Sequence, residues 1–177
     1  ISELTRRGIK TIGVEASKAA IERAPVEVQK NTVIADIANL PMEDGAISTA
    51  AMIAVLEHLP PENISRALQE VHRVLGLRGM FIVRVPSDLQ PTRAKHYQHF
   101  SPQSLRDILE QGNLFTVMEI VGNHDMSTDW ELVYSDIVIG ARNQGLSETE
   151  AISLAERTYD STIKACDPKK AKRLIAI

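Results

Sequence analysis

The chain holds one cysteine, Cys166, among its 177 residues, so no disulfide can form within it. That fits a reducing compartment. Excess positive charge is also missing. Twenty basic side chains against 23 acidic ones leave a net charge of −3, so no large electropositive field speaks for a nucleic-acid partner. The only dense basic run, PKKAKR from Pro168 to Arg173, is expected to be a solvated tail and not an anion site. No apolar run approaches the ~20 residues of a membrane helix, and the N-terminus carries no signal-peptide pattern. No membrane partner is therefore expected, and the cytoplasm is the expected location. Internal repeats and low-complexity segments are absent as well.

What is present suits a soluble domain: 44% hydrophobic and 24% charged residues, in a length that buries about two-thirds of the unfolded surface. Ile1 to Arg7 reads as the last turns of a helix stopped by Gly8. Ile9 to Ala16 reads as a strand ending at Glu15, followed by a Ser17-capped helix over Lys18 to Arg23. Strands are expected at Thr32 to Ala35 and Ala46 to Ala54. The clearest helix is Pro60 to Leu75, where Ile64, Leu68, Val71 and Leu75 fall at helical spacing between leading prolines and Gly76. A strand over Met80 to Val85 halts at Pro86, and a polar loop runs from Asp88 to Phe100. Ser101 opens a further helix that closes at Gly112. Strands at Phe115 to Val121 and Leu132 to Ala141 flank a polar connection, Asn123 to Glu131. Ser147 and Glu150 form a capping-box pattern that starts a last helix reaching about Ala165. Alternating strands and helices predict an α/β sheet, parallel in its main part.

The chain is organised around Val33 to Leu59, VIADIANLPMEDGAISTAAMIAVLEHL. Its two apolar runs each end in polar residues, Asp36 after the first and Glu57-His58 after the second. Strand ends in an open α/β sheet face the crevice where small ligands sit. Asp36 and the Ala54 to His58 segment are thus candidate ligand contacts.

Three blocks then add up to a resemblance: DIANLPMEDGAISTAAMIAVLEHL from Asp36, RVLGLRGMFIVRVP from Arg73 and HYQHFSPQSLRDILEQG from His96. In this order and spacing they resemble the class I S-adenosylmethionine-dependent methyltransferases that act on small molecules. The resemblance implies a Rossmann-like sheet, mostly parallel with an antiparallel final strand and flanked by helices. It implies S-adenosylmethionine as cofactor and a small-molecule methyl acceptor. Glu15 matches the acid that accepts from both ribose hydroxyls, with Ala16 beside it. Asp36 matches the residue that accepts from the adenine amino group, with Ile37 packing next to the ring. Ala54 and Val55 match the segment under the methionine part of the cofactor; Ala54 has no polar side chain, so contact there falls to the backbone.

Other readings of these residues stay open. A strand-terminal Glu would look the same in a dinucleotide-binding fold or on a bare surface, and Asp36 could simply cap a turn. Leu56-Glu57-His58 is partly a structural signature that starts the following helix, although His58 is also a candidate for touching substrate. His96 and His99 stand three apart, a spacing compatible with metal ligation. With no further Cys, His or carboxylate at ligand spacing nearby, a loop or lid role is expected, and no metal. His96 and Tyr97 sit where the resemblance places substrate-facing residues, and His96 could take a proton from a hydroxyl or amine acceptor. Trp130 and Tyr134 are expected to serve packing or partner contacts.

The family's glycine-rich loop is expected before Ile1, and its central strand between those ending at Glu15 and Ala54. Residues 1–142 are accordingly expected to be an N-terminally incomplete methyltransferase-like domain and 143–177 a C-terminal helical extension, with the oligomeric state open and a homodimer one candidate. Two function classes follow. One is a methyltransferase acting by direct in-line displacement. The other is a non-catalytic methyltransferase-like binding or assembly module.

Overall fold

In the computed structural model, which describes residues 1–125, 138–154, 165–166 and 168–177, the chain divides into two compact units. The first comprises Ile1–Ala50, Pro60–Phe81 and Gln111–Phe115, the second Ala51–Leu59, Ile82–Glu110 and Thr116–Ile177.

In the first unit, helix α1 (Ser2–Arg6) ends as the sequence suggests. Gly8 takes a φ of 75°, and its N–H donates to Thr5 O at 2.9 Å. Strand β1 is only Gly13–Glu15; Ile9 to Ile12, expected to belong to it, are not in the ladder. Helix α2 (Lys18–Arg23) is capped by Ser17, whose side chain accepts from Ala20 N. A short helix the sequence did not announce, α3 (Val26–Lys30), follows Pro25. Strand β2 (Thr32–Ile34) then pairs parallel with β1, Glu15 opposite Ile34. Helix α4 (Pro61–Val74) buries Ile64, Ala67, Leu68, Val71 and Val74, a single face at helical period.

Strands β3 (Ile47–Ile53) and β4 (Leu75–Pro86) begin among residues of the first unit and end in the second. They belong to a five-stranded sheet of order β3-β4-β7-β5-β6, which also contains β5 (Ile120–Asp125), β6 (Ala165–Cys166) and β7 (Ala171–Ala176). Strand β7 lies antiparallel between β4 and β5, Leu174 opposite both Val85 and Gly122. Helix α5 (Pro102–Glu110) packs against β7. Val83, Val85, Leu105, Leu109 and Leu174, all at most 3% exposed, form this unit's core. The mixed α/β fold with an antiparallel final strand agrees with expectation.

The position of that final strand does not. Within the segment expected to supply it, residues 138–143 are helical, and 132–137 lie outside the described residues, as do Trp130 and Tyr134. The preceding strand starts at Ile120, not Phe115. The closing strand is instead the chain's tail. The run read as solvated becomes a 3-10 turn, Pro168–Lys170, and then β7, with Ala171, Leu174 and Ala176 buried. Of 143–177, expected as a helical extension, the described residues hold helix over 148–154 and then β6 and β7. Leu174 and Ala176 lie two apart, so they point to one face of a strand. The lysines and arginine around them hid that period. The capping box does form, Ser147 N and Oγ both donating to Glu150 Oε2, at 2.9 and 2.6 Å.

Candidate functional site

Glu15 is the last residue of β1, and Asp36 stands two residues beyond β2. Because the two strands run parallel and in register, both carboxylates emerge at the same rim, the carboxyl end of the strands, where open α/β sheets bind ligands. A backbone bond from Ala35 N to Glu15 O, 3.2 Å, extends the ladder up to that rim. Each carboxylate is oriented by one local bond: Glu15 Oε1 accepts from Ser17 N, and Asp36 Oδ1 from Ala38 N, both at 2.8 Å. The second bond closes the turn that the plain reading of Asp36 anticipated, and leaves Oδ2 for another donor. Ala16 and Asp36 are exposed, Glu15 and Ile37 half-buried.

In the second unit, β3 gives way to a tight turn at Ala54, whose φ is 54°. A non-glycine residue seldom adopts this left-handed backbone. It is held by the bond from Ala54 N to Arg84 O, 3.0 Å. After Val55 comes the 3-10 turn Leu56–His58, which buries Leu56 and Glu57 and leaves His58 exposed. The loop after β4 closes on itself where Ser87 bridges Phe100 and Asp88 N donates to Phe100 O at 2.9 Å. From that loop Tyr97 N donates to Glu57 O at 2.8 Å, bringing the loop onto the 3-10 turn.

That contact assembles a cluster of imidazoles. The rings of His58 and His96 meet edge to face with centroids 4.7 Å apart. His58 Nδ1 lies 2.8 Å from Lys95 O, His99 Nδ1 lies 3.0 Å from Gln90 O, and His96 Nδ1 lies 2.7 Å from His99 Nε2. Partial withdrawal from water, with the neighbouring His58 adding to it, holds the His96 pKa below its ordinary value. Beside them, Glu57 is 2% exposed, and its Oε2 has no hydrogen-bond partner. One ligand atom each from Glu57, His58 and His96 falls within 4.8 Å of the others.

Residues 1–83 match the methyltransferase domain family. Solved structures of that kind cover the remainder. A SAM-dependent methyltransferase from Archaeoglobus fulgidus aligns over 99% of this chain and 78% of its own, at 15% identity and a TM-score of 0.62. This is a class I methyltransferase fold. The 1,6-didemethyltoxoflavin-N1-methyltransferase of Burkholderia thailandensis, solved with 1,6-didemethyltoxoflavin and S-adenosylhomocysteine, aligns over 69% of this chain and 57% of its own, at 19% identity and a TM-score of 0.56. The [4+2]-cyclase SpnF aligns over 99% and 68%, at 16% identity and a TM-score of 0.60. No curated protein matches the chain in sequence.

The sequence expectations therefore fall into two groups in this methyltransferase-like chain. Glu15, Ala16, Asp36 and Ile37 share one rim of the first unit, while Ala54, Val55, His58 and His96 lie in the second. Glu57 was expected only as a member of the Ala54 to His58 segment and of a helix-starting signature, not as a buried acid. Its burial without a partner for one oxygen is what marks it, and nothing in its spacing could have shown that. His99, expected with His96 to serve a loop or lid, is the residue against which His96 is oriented.

Proposed function

We propose that the protein transfers a methyl group from S-adenosylmethionine to a small-molecule acceptor by direct in-line displacement. When bound, the cofactor supplies an electrophilic methyl carbon on a sulfonium. The chain then has to bind the nucleoside, orient the acceptor and keep water out. Glu15 accepts from the ribose hydroxyls, since a carboxylate takes two donors at once. Asp36 accepts from the adenine amino group, with Ala16 and Ile37 alongside. The backbone of Ala54 and Val55 meets the methionine portion. His58 and His96 face the acceptor, and His96 takes its proton where the acceptor is a neutral hydroxyl or amine.

The observation that carries this reading is the pair of carboxylates at the ends of adjacent parallel strands. Titration calorimetry with S-adenosylhomocysteine tests it. The expected result is binding in the micromolar range, weakened about 10–100-fold in Glu15→Ala and in Asp36→Ala, the value of a hydrogen bond to a charged group. Binding indifferent to both changes would overturn the nucleoside assignment. A second reading, a binding module without methyl transfer, rests on one fold hosting many chemistries; the cyclase neighbour is a case of this fold under a name other than methyltransferase. This reading predicts no affinity for S-adenosylhomocysteine at all.

A further inference from the structure

The His58, His96 and Glu57 cluster has a property that a proton-transfer role leaves unused, namely the direction of its lone pairs. A backbone carbonyl can only accept, so His99 Nδ1 carries the proton it gives to Gln90 O. In neutral His99 the Nε2 atom is then an acceptor, and the 2.7 Å contact makes His96 Nδ1 the donor to it. His96 Nε2 is left with its lone pair. The same logic applies to His58, whose Nδ1 donates to Lys95 O and whose Nε2 is likewise basic. The third member, Glu57, is 2% exposed and keeps Oε2 out of water with no donor to meet it.

An imidazole nitrogen of His58, one of His96 and a carboxylate oxygen of Glu57 lie within 4.8 Å of one another. An unmet buried carboxylate oxygen is destabilising in the absence of a counter-charge. The bonds that fix the tautomers of His58 and His96 are those found behind metal-bound imidazoles, where the second ring nitrogen donates to a carbonyl or another acceptor. Two imidazoles and one carboxylate suit first-row divalent ions better than magnesium or calcium, which prefer all-oxygen shells. Three protein ligands also leave positions for water or a small-molecule donor atom.

We propose that Glu57, His58 and His96 form a binding site for a divalent first-row transition-metal ion, with His99 and the carbonyls of Gln90 and Lys95 as the groups that orient its imidazoles. The site does not require methyl transfer, but it takes His96 out of the base role given above. With the ion in place, His96 Nε2 is a ligand and does not act as a base.

The test is titration of the chelator-treated full chain with Co2+, followed by its visible d–d absorption, then competition with Zn2+. The expected result is saturation at one ion per chain, with the intense bands of four- or five-coordinate cobalt that Zn2+ abolishes. His58→Ala and His96→Ala each remove the bands. His99→Ala weakens binding about 10–100-fold, as second-layer partners do. Glu57→Gln, which keeps the shape and loses the charge, also weakens it. His58 is exposed, so its variant tests the site without risking the fold. His72→Ala, on α4, serves as the control and leaves the spectrum intact. A second readout is thermal melting, which Zn2+ raises in the parent and not in His58→Ala. Absence of the bands, bands that survive both histidine changes, or equal loss in the His72 variant would overturn the site.

Discussion

Arg73 grips Glu70 with two parallel bonds, Nε to Oε1 and Nη2 to Oε2, both at 2.9 Å. The same guanidinium reaches Leu40 O, Met42 O and Asp44 Oδ1 at 3.0, 2.9 and 2.7 Å, while Glu70 Oε2 also accepts from Leu40 N at 2.9 Å. One ion pair thereby ties the connection before β3 to the last turns of α4. An arginine is needed because only its planar fork can serve a carboxylate and three further acceptors together.

A pH dependence follows. The Arg73 bonds, with the Leu40 N–H second, hold the Glu70 pKa down from 4.5 to about 2. A carboxyl depressed in the folded state contributes its stability above its unfolded pKa. That contribution is lost as pH falls through the folded value. Urea midpoints measured between about pH 5 and pH 2 should therefore fall more steeply in the parent than in Glu70→Gln. Equal slopes would mean that Glu70 is not held by Arg73 in solution.

Ala54 yields a prediction of opposite sign. Its φ of 54° sets Cβ against the carbonyl that follows, at a cost of about 1–2 kcal/mol. Glycine avoids the clash and gives back part of the gain as unfolded-chain entropy. Ala54→Gly should raise unfolding free energy by about 0.5–1 kcal/mol in urea melts. The proposed contact to the cofactor through backbone groups should survive, so affinity for S-adenosylhomocysteine should hold within a few-fold.

The sequence disclosed those parts of the fold whose signals are local. Ser17 as cap, the apolar face of α4 and the Ser147–Glu150 box each lie within a few residues of the structure they specify, and all are found where expected. The placing of Glu15 and Asp36 at strand ends was legible because each ends an apolar run. The closing strand was not, because its identity depends on β4 and β5 providing a slot that its own basic residues do not advertise. The same is true of the imidazole cluster. His96 and His99 are neighbours in sequence, whereas Glu57 and His58 reach them only through a loop folded over the 3-10 turn.

Leu174 tests the misread tail directly. It is fully buried, on a strand hydrogen-bonded on both sides. Truncation to alanine should cost about 2–5 kcal/mol, the range for a buried leucine. The exposed Glu148, changed to alanine, should lie within about 0.5 kcal/mol of the parent. Chemical denaturation of the two variants checks this, and equal small effects would return the tail to solvent.

Gly13 links packing to the proposed nucleoside contact. A Cβ added there would meet Thr32 Oγ1 at 2.8 Å and, closer still, Ile1 Cδ1. The Ile1 methyl is the end of a flexible side chain and can move aside. Thr32 is β-branched, and its hydroxyl is engaged with Val28 O at 2.7 Å, so it yields less readily. Gly13 also stands opposite Thr32 in the two-strand ladder, so strain there is passed along β1 towards Glu15. Gly13→Ala should destabilise the protein by about 1–3 kcal/mol, as overpacking does. It should also weaken S-adenosylhomocysteine binding, although neither carboxylate is altered. Calorimetry well below the melting temperature separates the two effects: full affinity in a folded but destabilised variant would show that Glu15 is positioned independently of the β1–β2 spacing.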